Sequence, residues 1–142
     1  MSGGSCLTWS ELPPEARRIV GRARRAVLAT VGRDGAPHAV PVCFALRAGE
    51  LVTAVDQKPK RGGKLARVAH VRADPSAAIV VDRWDEDWTQ LGWVMFQGEA
   101  HLDEPGSATA TLVERYPQYR DDPPQGEVIV LRPRRILWWM WE

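Results

Sequence analysis

The stretch AVLATVGRDGAPHAVPVCFALRAGELVTAV, residues 26–55, decides the fold. Ala26 to Val31 is a short apolar run rich in β-branched residues. Gly32-Arg33-Asp34-Gly35 follows, and Asp-Gly supplies the positive φ angles of a tight hairpin turn. Pro37 to Leu46 reads as the returning strand, its prolines marking an edge, a bulge or a strand start. Arg47-Ala48-Gly49-Glu50 turns the chain again, and Leu51 to Val55 reads as a third strand. Strands joined by such short turns predict an antiparallel meander.

Outward from this segment, periodicity predicts the remaining elements. Upstream, residues 1–9 read as a flexible arm. A helix is expected from Ser10 to about Arg24, with Leu12, Ala16, Ile19, Val20 and Ala23 on its apolar face. Downstream, Asp56 to Gly63 is a charged loop and Lys64 to Ala73 a short helix, buried through Leu65, Val68 and Val71 and ended by Pro75. Ala77 to Asp82 and Gly92 to Leu102 read as strands. Pro105 to Tyr116 reads as a helix, with Ala108, Leu112 and Val113 toward the core. Val128 to Leu131 and Ile136 to Trp141 read as final strands broken at Pro133. Roughly six or seven strands and three short helices result, without strict βαβ alternation, which disfavours a parallel sheet. A small closed or half-closed antiparallel barrel hides the strand edges.

The chain has 142 residues, so it is expected to form a single domain, 1–142. A net charge of +1 argues against an overall nucleic-acid footprint, so no nucleic-acid partner is expected. No apolar run approaches the roughly 18 residues that span a bilayer, and no signal peptide is visible. The expectation is a cytoplasmic protein without membrane attachment. The two cysteines, Cys6 and Cys43, read as free thiols. His38, His70 and His101 are too scattered for the usual ligand spacing, so no metal site is expected. His38 reads either as the border of a pocket or as a surface or satisfied residue.

The most informative functional stretch is Leu51 through Val68. A strand delivers the hydroxyl of Thr53 toward the end of the sheet. Lys58, Lys60 and Arg61 follow, and Gly62-Gly63 permits close backbone approach to a ligand. A helix then starts at Lys64, where free N–H groups and the macrodipole attract anions, and Lys64 and Arg67 lie three apart on it. The pattern reads either as a phosphate trap or as a solvated basic loop. It is not a P-loop, and no dinucleotide glycine fingerprint is present. Seven tryptophans are many for this length. Trp138 and Trp139 on one strand must point to opposite faces. One enters the barrel, and the other packs against a second subunit, a planar ligand or the first helix.

Several of these segments resemble a known family. Residues 26–42 look like the opening hairpin of the pyridoxamine-phosphate-oxidase-like split β-barrels. Asp56 to Arg61, Lys64 to Val68 and Asp74-Pro75 are similar to the cofactor-phosphate element of their deazaflavin branch, and Gly98-Glu99-Ala100 resembles that branch's later strand. The likeness covers residues 10–141 and is nearest to the coenzyme F420-dependent group. The resemblance implies a mainly β, six- to seven-stranded split barrel with flanking helices, working as a homodimer with cofactor sites at the subunit interface. It implies that Thr53, Lys58, Lys60, Arg61 and Lys64 hold the cofactor's phosphate and acidic tail. Pro41 and Val42 would lie along the deazaflavin ring, near the Trp84–Trp88 loop. The activity implied is an F420-dependent oxidoreductase acting on a small organic substrate. FMN in place of F420, or a non-catalytic barrel for F420 or haem, stands as the alternative. No catalytic acid or base stands out.

Overall fold

Alternation of buried and half-buried residues makes β2 (Ala26–Val31) a strand with one face in the core. In the computed structural model, which describes residues 2–55 and 65–141, this strand hairpins with β3 (Pro37–Val42) at the expected turn. The other elements are β1 (Ser2–Cys6), α1 (Pro14–Arg22), β4 (Ala45–Arg47), β5 (Glu50–Ala54), α2 (Ala66–Ala73), β6 (Ser76–Arg83), β7 (Gly92–Asp103), α3 (Thr109–Arg115) and β8 (Val128–Met140). All pairings are antiparallel. The strands run in the order β3-β2-β6-β7-β8-β5-β4, with β1 on β8 beside that path. The sheet curls into a half-barrel, as the fold class expected.

Four local expectations change. The N-terminal arm is a strand. Ser2–Cys6 pairs with Met140–Ile136, and Gly3 and Gly4 permit it, because a Cβ on Gly4 would press on the indole of Trp138 at 3.0 Å. The three-strand meander is not formed. Among the described residues β3 pairs only with β2, while β4 and β5 pair with each other and β5 pairs with β8. The chain turns a corner at Cys43–Phe44 and passes from one end of the sheet path to the other. Pro133 does not break β8. It faces Gly98 at a register shift, where a Cβ would collide with the Arg132 carbonyl oxygen. A bulge is a place where proline's missing N–H costs no ladder bond. Among the described residues the strand count is therefore eight rather than six or seven. Helix α1 also starts later than expected, at Pro14, with Pro13 outside it in extended geometry.

Two apolar clusters result. The larger fills the concave side of the sheet, where the register row Val40–Leu28–Ile79–Phe96–Ile136 crosses five strands. Helix α1 closes it with Ala16, Ile19 and Val20, Leu12 adds to it from just before the helix, and Trp9 stacks on Phe96 at 6.3 Å. The smaller lies on the other side of β4, β5 and β8, beneath Ala108, Leu112 and Tyr116; Val113 is only half-buried. β5 serves both, with Leu51 in the larger cluster and Val52 in the smaller. The opposite face of the main sheet carries a second apolar row, Pro41–Val27–Val80–Met95–Leu137, flanked by Trp93–Trp139. Pro41 is exposed and the others are half-buried. Trp138 packs against the larger core, and Trp139 falls on this outer face.

Candidate functional site

The corner at Cys43–Phe44 leaves a cleft of about 240 Å³ between β3, β5 and the start of α2. Arg25, Pro41, Val42, Cys43, Thr53, Ala54, Arg67 and Tyr119 line it. The geometry follows from the strands. Thr53 shares a face of β5 with Leu51, so its side chain lies at the rim of the main core, and it is 3% exposed. Val42 is the last inward residue of β3 and Pro41 the last outward one. The Arg25 side chain comes from the short link between α1 and β2. Tyr119 comes from the turn Pro117–Arg120 after α3.

Arg67 is the second residue of α2. That helix begins without a side-chain cap and without an acidic residue in its first turn. Its free N–H groups and the Arg67 guanidinium thus present positive charge at the same end. α2 is held in place elsewhere. The His70 ring Nδ1 and the Thr30 hydroxyl are 2.9 Å apart, and Arg72 pairs with Glu127 at 3.0 Å. The side chains of Arg25 and Arg67 make no hydrogen bond or ion pair with another described residue, and no carboxylate is among the described residues that line the cleft. Two guanidinium groups without a partner among the described residues, beside a buried hydroxyl, present donors of the kind that suit a phosphate or carboxylate.

Of the expected site residues, Pro41, Val42 and Thr53 come together in this cleft. Lys58, Lys60, Arg61 and Lys64 lie outside the described residues. His38 does not line the cleft. It faces His70 edge-on at 5.1 Å, on the inner side of β3, and its Nδ1 is buried without a hydrogen-bond partner. Sequence reasoning missed Arg25, Cys43 and Tyr119. Arg25 is one of five arginines between positions 17 and 25, and no local signal separates it from the others. The tryptophan-bearing loop after β6 leaves Trp84 and Trp88 exposed, with Asp87 capping the turn at Thr89. Among the described residues no group of three or more metal-ligating side chains is present, and no helix is long and apolar enough to cross a membrane.

Fold and cleft together define a class: an antiparallel split β-barrel with an electropositive cleft at its rim. The chain belongs to the pyridoxamine 5'-phosphate oxidase family, whose sequence profile matches residues 12–140. No curated protein matches the chain. Among solved structures, a conserved hypothetical protein from Mycobacterium tuberculosis is similar at 24% identity and a TM-score of 0.69, covering 89% of this chain and 85% of that one. A haem-binding protein from Mycobacterium smegmatis is similar at 24% identity and a TM-score of 0.71, over 90% of this chain and 55% of its own. HutZ, a haem storage protein from Vibrio cholerae, is similar at 17% identity and a TM-score of 0.66, over 86% of this chain and 89% of its own. At these identities the likeness shows a shared fold.

Proposed function

We propose that this protein is a homodimeric oxidoreductase that holds a phosphate-bearing deazaflavin, coenzyme F420, with FMN as the alternative cofactor. The observation that carries this reading is the meeting of Arg25, Arg67 and Thr53 around one cleft with no carboxylate among its described lining residues. The donor set fits the anionic end of such a cofactor. Thr53 and the first turn of α2 offer neutral donors, and the two arginines offer charged ones. The sequence joining Thr53 to Arg67 adds Lys58, Lys60, Arg61 and Lys64, a charge that suits the acidic tail of F420 better than the single phosphate of FMN.

Size supports a shared site. The cleft's 240 Å³ falls below the roughly 300–1,000 Å³ of pockets that enclose a whole cofactor-sized ligand. One protomer thus accommodates the charged end, and the ring needs a further wall. Pro41 belongs both to the cleft and to the outer apolar row. A second copy laid on that row would close the cleft, with Pro41 and Val42 beside the ring. The deazaflavin supplies hydride transfer to a small organic substrate when bound. The protein's own residues hold its charge, orient it and keep water from it.

Titration of the purified protein with oxidised F420 and with FMN, followed by cofactor fluorescence, tests the reading. F420 should bind in the micromolar range or tighter. Arg67→Ala should weaken it about 10-fold, a loss of about 1.4 kcal/mol, and Arg25→Ala somewhat less because Arg25 is exposed. No binding of either cofactor, or unchanged affinity in both variants, would refute the assignment.

A specific observation favours one second reading, haem carriage. Cys43 and Tyr119 line the cleft, and thiolate and phenolate are both axial ligand types for haem iron. Two of the fold relatives are haem proteins by name. A Soret band on adding hemin that disappears in Cys43→Ala or Tyr119→Phe would support it. Identical spectra in all three proteins would exclude direct ligation by these residues.

A further inference from the structure

We infer that the Tyr116 hydroxyl, which lies outside the cleft, is the positioning group that sets the cleft's anion-holding wall. The inference rests on the reading that the cleft takes an anionic cofactor. Tyr116 is buried at the end of α3. Its hydroxyl accepts a hydrogen bond from the backbone N–H of Phe44 at 3.0 Å and donates one to the carbonyl of Arg24 at 3.2 Å. Phe44 directly follows Cys43, and Arg24 directly precedes Arg25. The Tyr116 ring also meets Tyr119 edge-on at 5.8 Å. One oxygen and its ring thus connect the three segments that deliver Arg25, Cys43 and Tyr119 to the cleft. These segments are far apart in sequence, and the strand ladders register none of them against the others. Arg25 is in a link between elements, Cys43 is at the corner after β3, and Tyr119 is in a turn.

The phenol is itself held from two sides. The Arg24 guanidinium lies 4.8 Å from its ring centroid and donates to the Arg115 carbonyl at 2.6 Å. Arg115 donates to the carbonyls of Val20 and Ala23, tying down the last turn of α1 just before the link that carries Arg25. The same guanidinium sits 4.5 Å over the ring of Phe44, which is fully buried. The corner N–H of Phe44 has left the β3 ladder and has not yet joined that of β4, so the hydroxyl replaces a strand partner there. Without the hydroxyl, neither the corner nor the Arg24 carbonyl has a fixed partner, and the Arg25 side chain loses its defined direction.

The test is Tyr116→Phe, which keeps the ring and removes one oxygen. The readout is the ratio of affinities for a phosphate-bearing cofactor and its phosphate-free counterpart: F420 against 8-hydroxy-5-deazariboflavin, and FMN against riboflavin. A group that positions Arg25 governs the phosphate part alone. The variant should keep its affinity for the phosphate-free compound within about 2-fold while the ratio falls at least about 5-fold, roughly 1 kcal/mol. An unchanged ratio with a lowered Tm would make Tyr116 a purely structural residue and overturn the inference, leaving the cleft's assignment intact. A wild-type protein that does not distinguish the members of either pair would refute the cleft's assignment and the inference with it. Should Tyr116→Phe fail to fold, Arg115→Lys loosens the same junction from α1. A fall in the same ratio would then support the inference, and an unchanged ratio would overturn it.

Discussion

Met95→Glu separates a sheet face that is covered from one that meets water. Met95 stands at the centre of the outer apolar row, between Val80 on β6 and Leu137 on β8, and it is half-buried within one protomer. Full burial of a methionine is worth about 1.5–3 kcal/mol, so the minor part still exposed represents about 0.5 kcal/mol when a second copy covers it. A two-fold interface counts the substitution twice, giving about 1 kcal/mol of lost burial. Each introduced carboxylate adds a desolvation cost of several kcal/mol on top, unless the interface opens around it. Dimer dissociation should therefore rise at least about 100-fold, which corresponds to about 2.7 kcal/mol. The protomer's own fold should lose about 1–2 kcal/mol, since Met95 is half-buried between Val80 and Leu137 even in the single protomer. Sedimentation across a dilution series measures the first quantity, and denaturant unfolding of the dilute variant measures the second. A wild type that sediments as a monomer at micromolar concentration, or a variant that dimerises as tightly as the wild type, would refute the assignment of this face.

Two further predictions concern the protomer itself. Phe96→Ala removes a fully buried ring that stacks on Trp9 and centres the inner register row, so it should cost about 3–5 kcal/mol in urea unfolding and shift Trp9 emission. A loss under about 1 kcal/mol would show that the barrel core is not packed as described. The hydrogen bond from Arg83, at 2.8 Å, holds the Glu15 carboxyl below the usual carboxylate range, and the neighbouring positive charges of Arg18, Arg83 and Arg22 add to this against the opposing effect of partial burial. A depressed pKa stabilises the fold above the unfolded value of about 4.3, and that contribution is lost as pH falls through the folded value. Glu15→Gln should therefore be less stable than wild type by about 0.5 kcal/mol at neutral pH, a modest figure because the pair is solvent-exposed, and the gap should close in acid. A gap that persists unchanged below the carboxylate range would contradict the assignment.

The sequence made much of the sheet legible and little of its connectivity. Alternation identified Ala26–Val31 and Gly92–Leu102 as strands, and Asp34-Gly35 located the hairpin, where Gly35 takes φ +79°. Periodicity says that a segment is a strand but not which strand it meets. The pairing of β5 with β8, far along the chain, was therefore invisible, and a meander of sequence neighbours took its place. The glycines of Ser2–Cys6 read as looseness, whereas in the fold they permit close approach to Trp138. At the cleft, Thr53 was legible because strand alternation and the charge after it pointed the same way. Arg25 and Tyr119 were not, because they reach the cleft through a link and a turn whose directions depend on the Tyr116 junction.

A crystal structure of the protein soaked with oxidised F420 tests the central claim most directly. The account predicts the cofactor's phosphate within hydrogen-bonding distance of the Arg67 guanidinium and the Thr53 hydroxyl, with the ring beside Pro41 and Val42. Cofactor density elsewhere on the barrel, with Arg25 and Arg67 directed into bulk water, would contradict it.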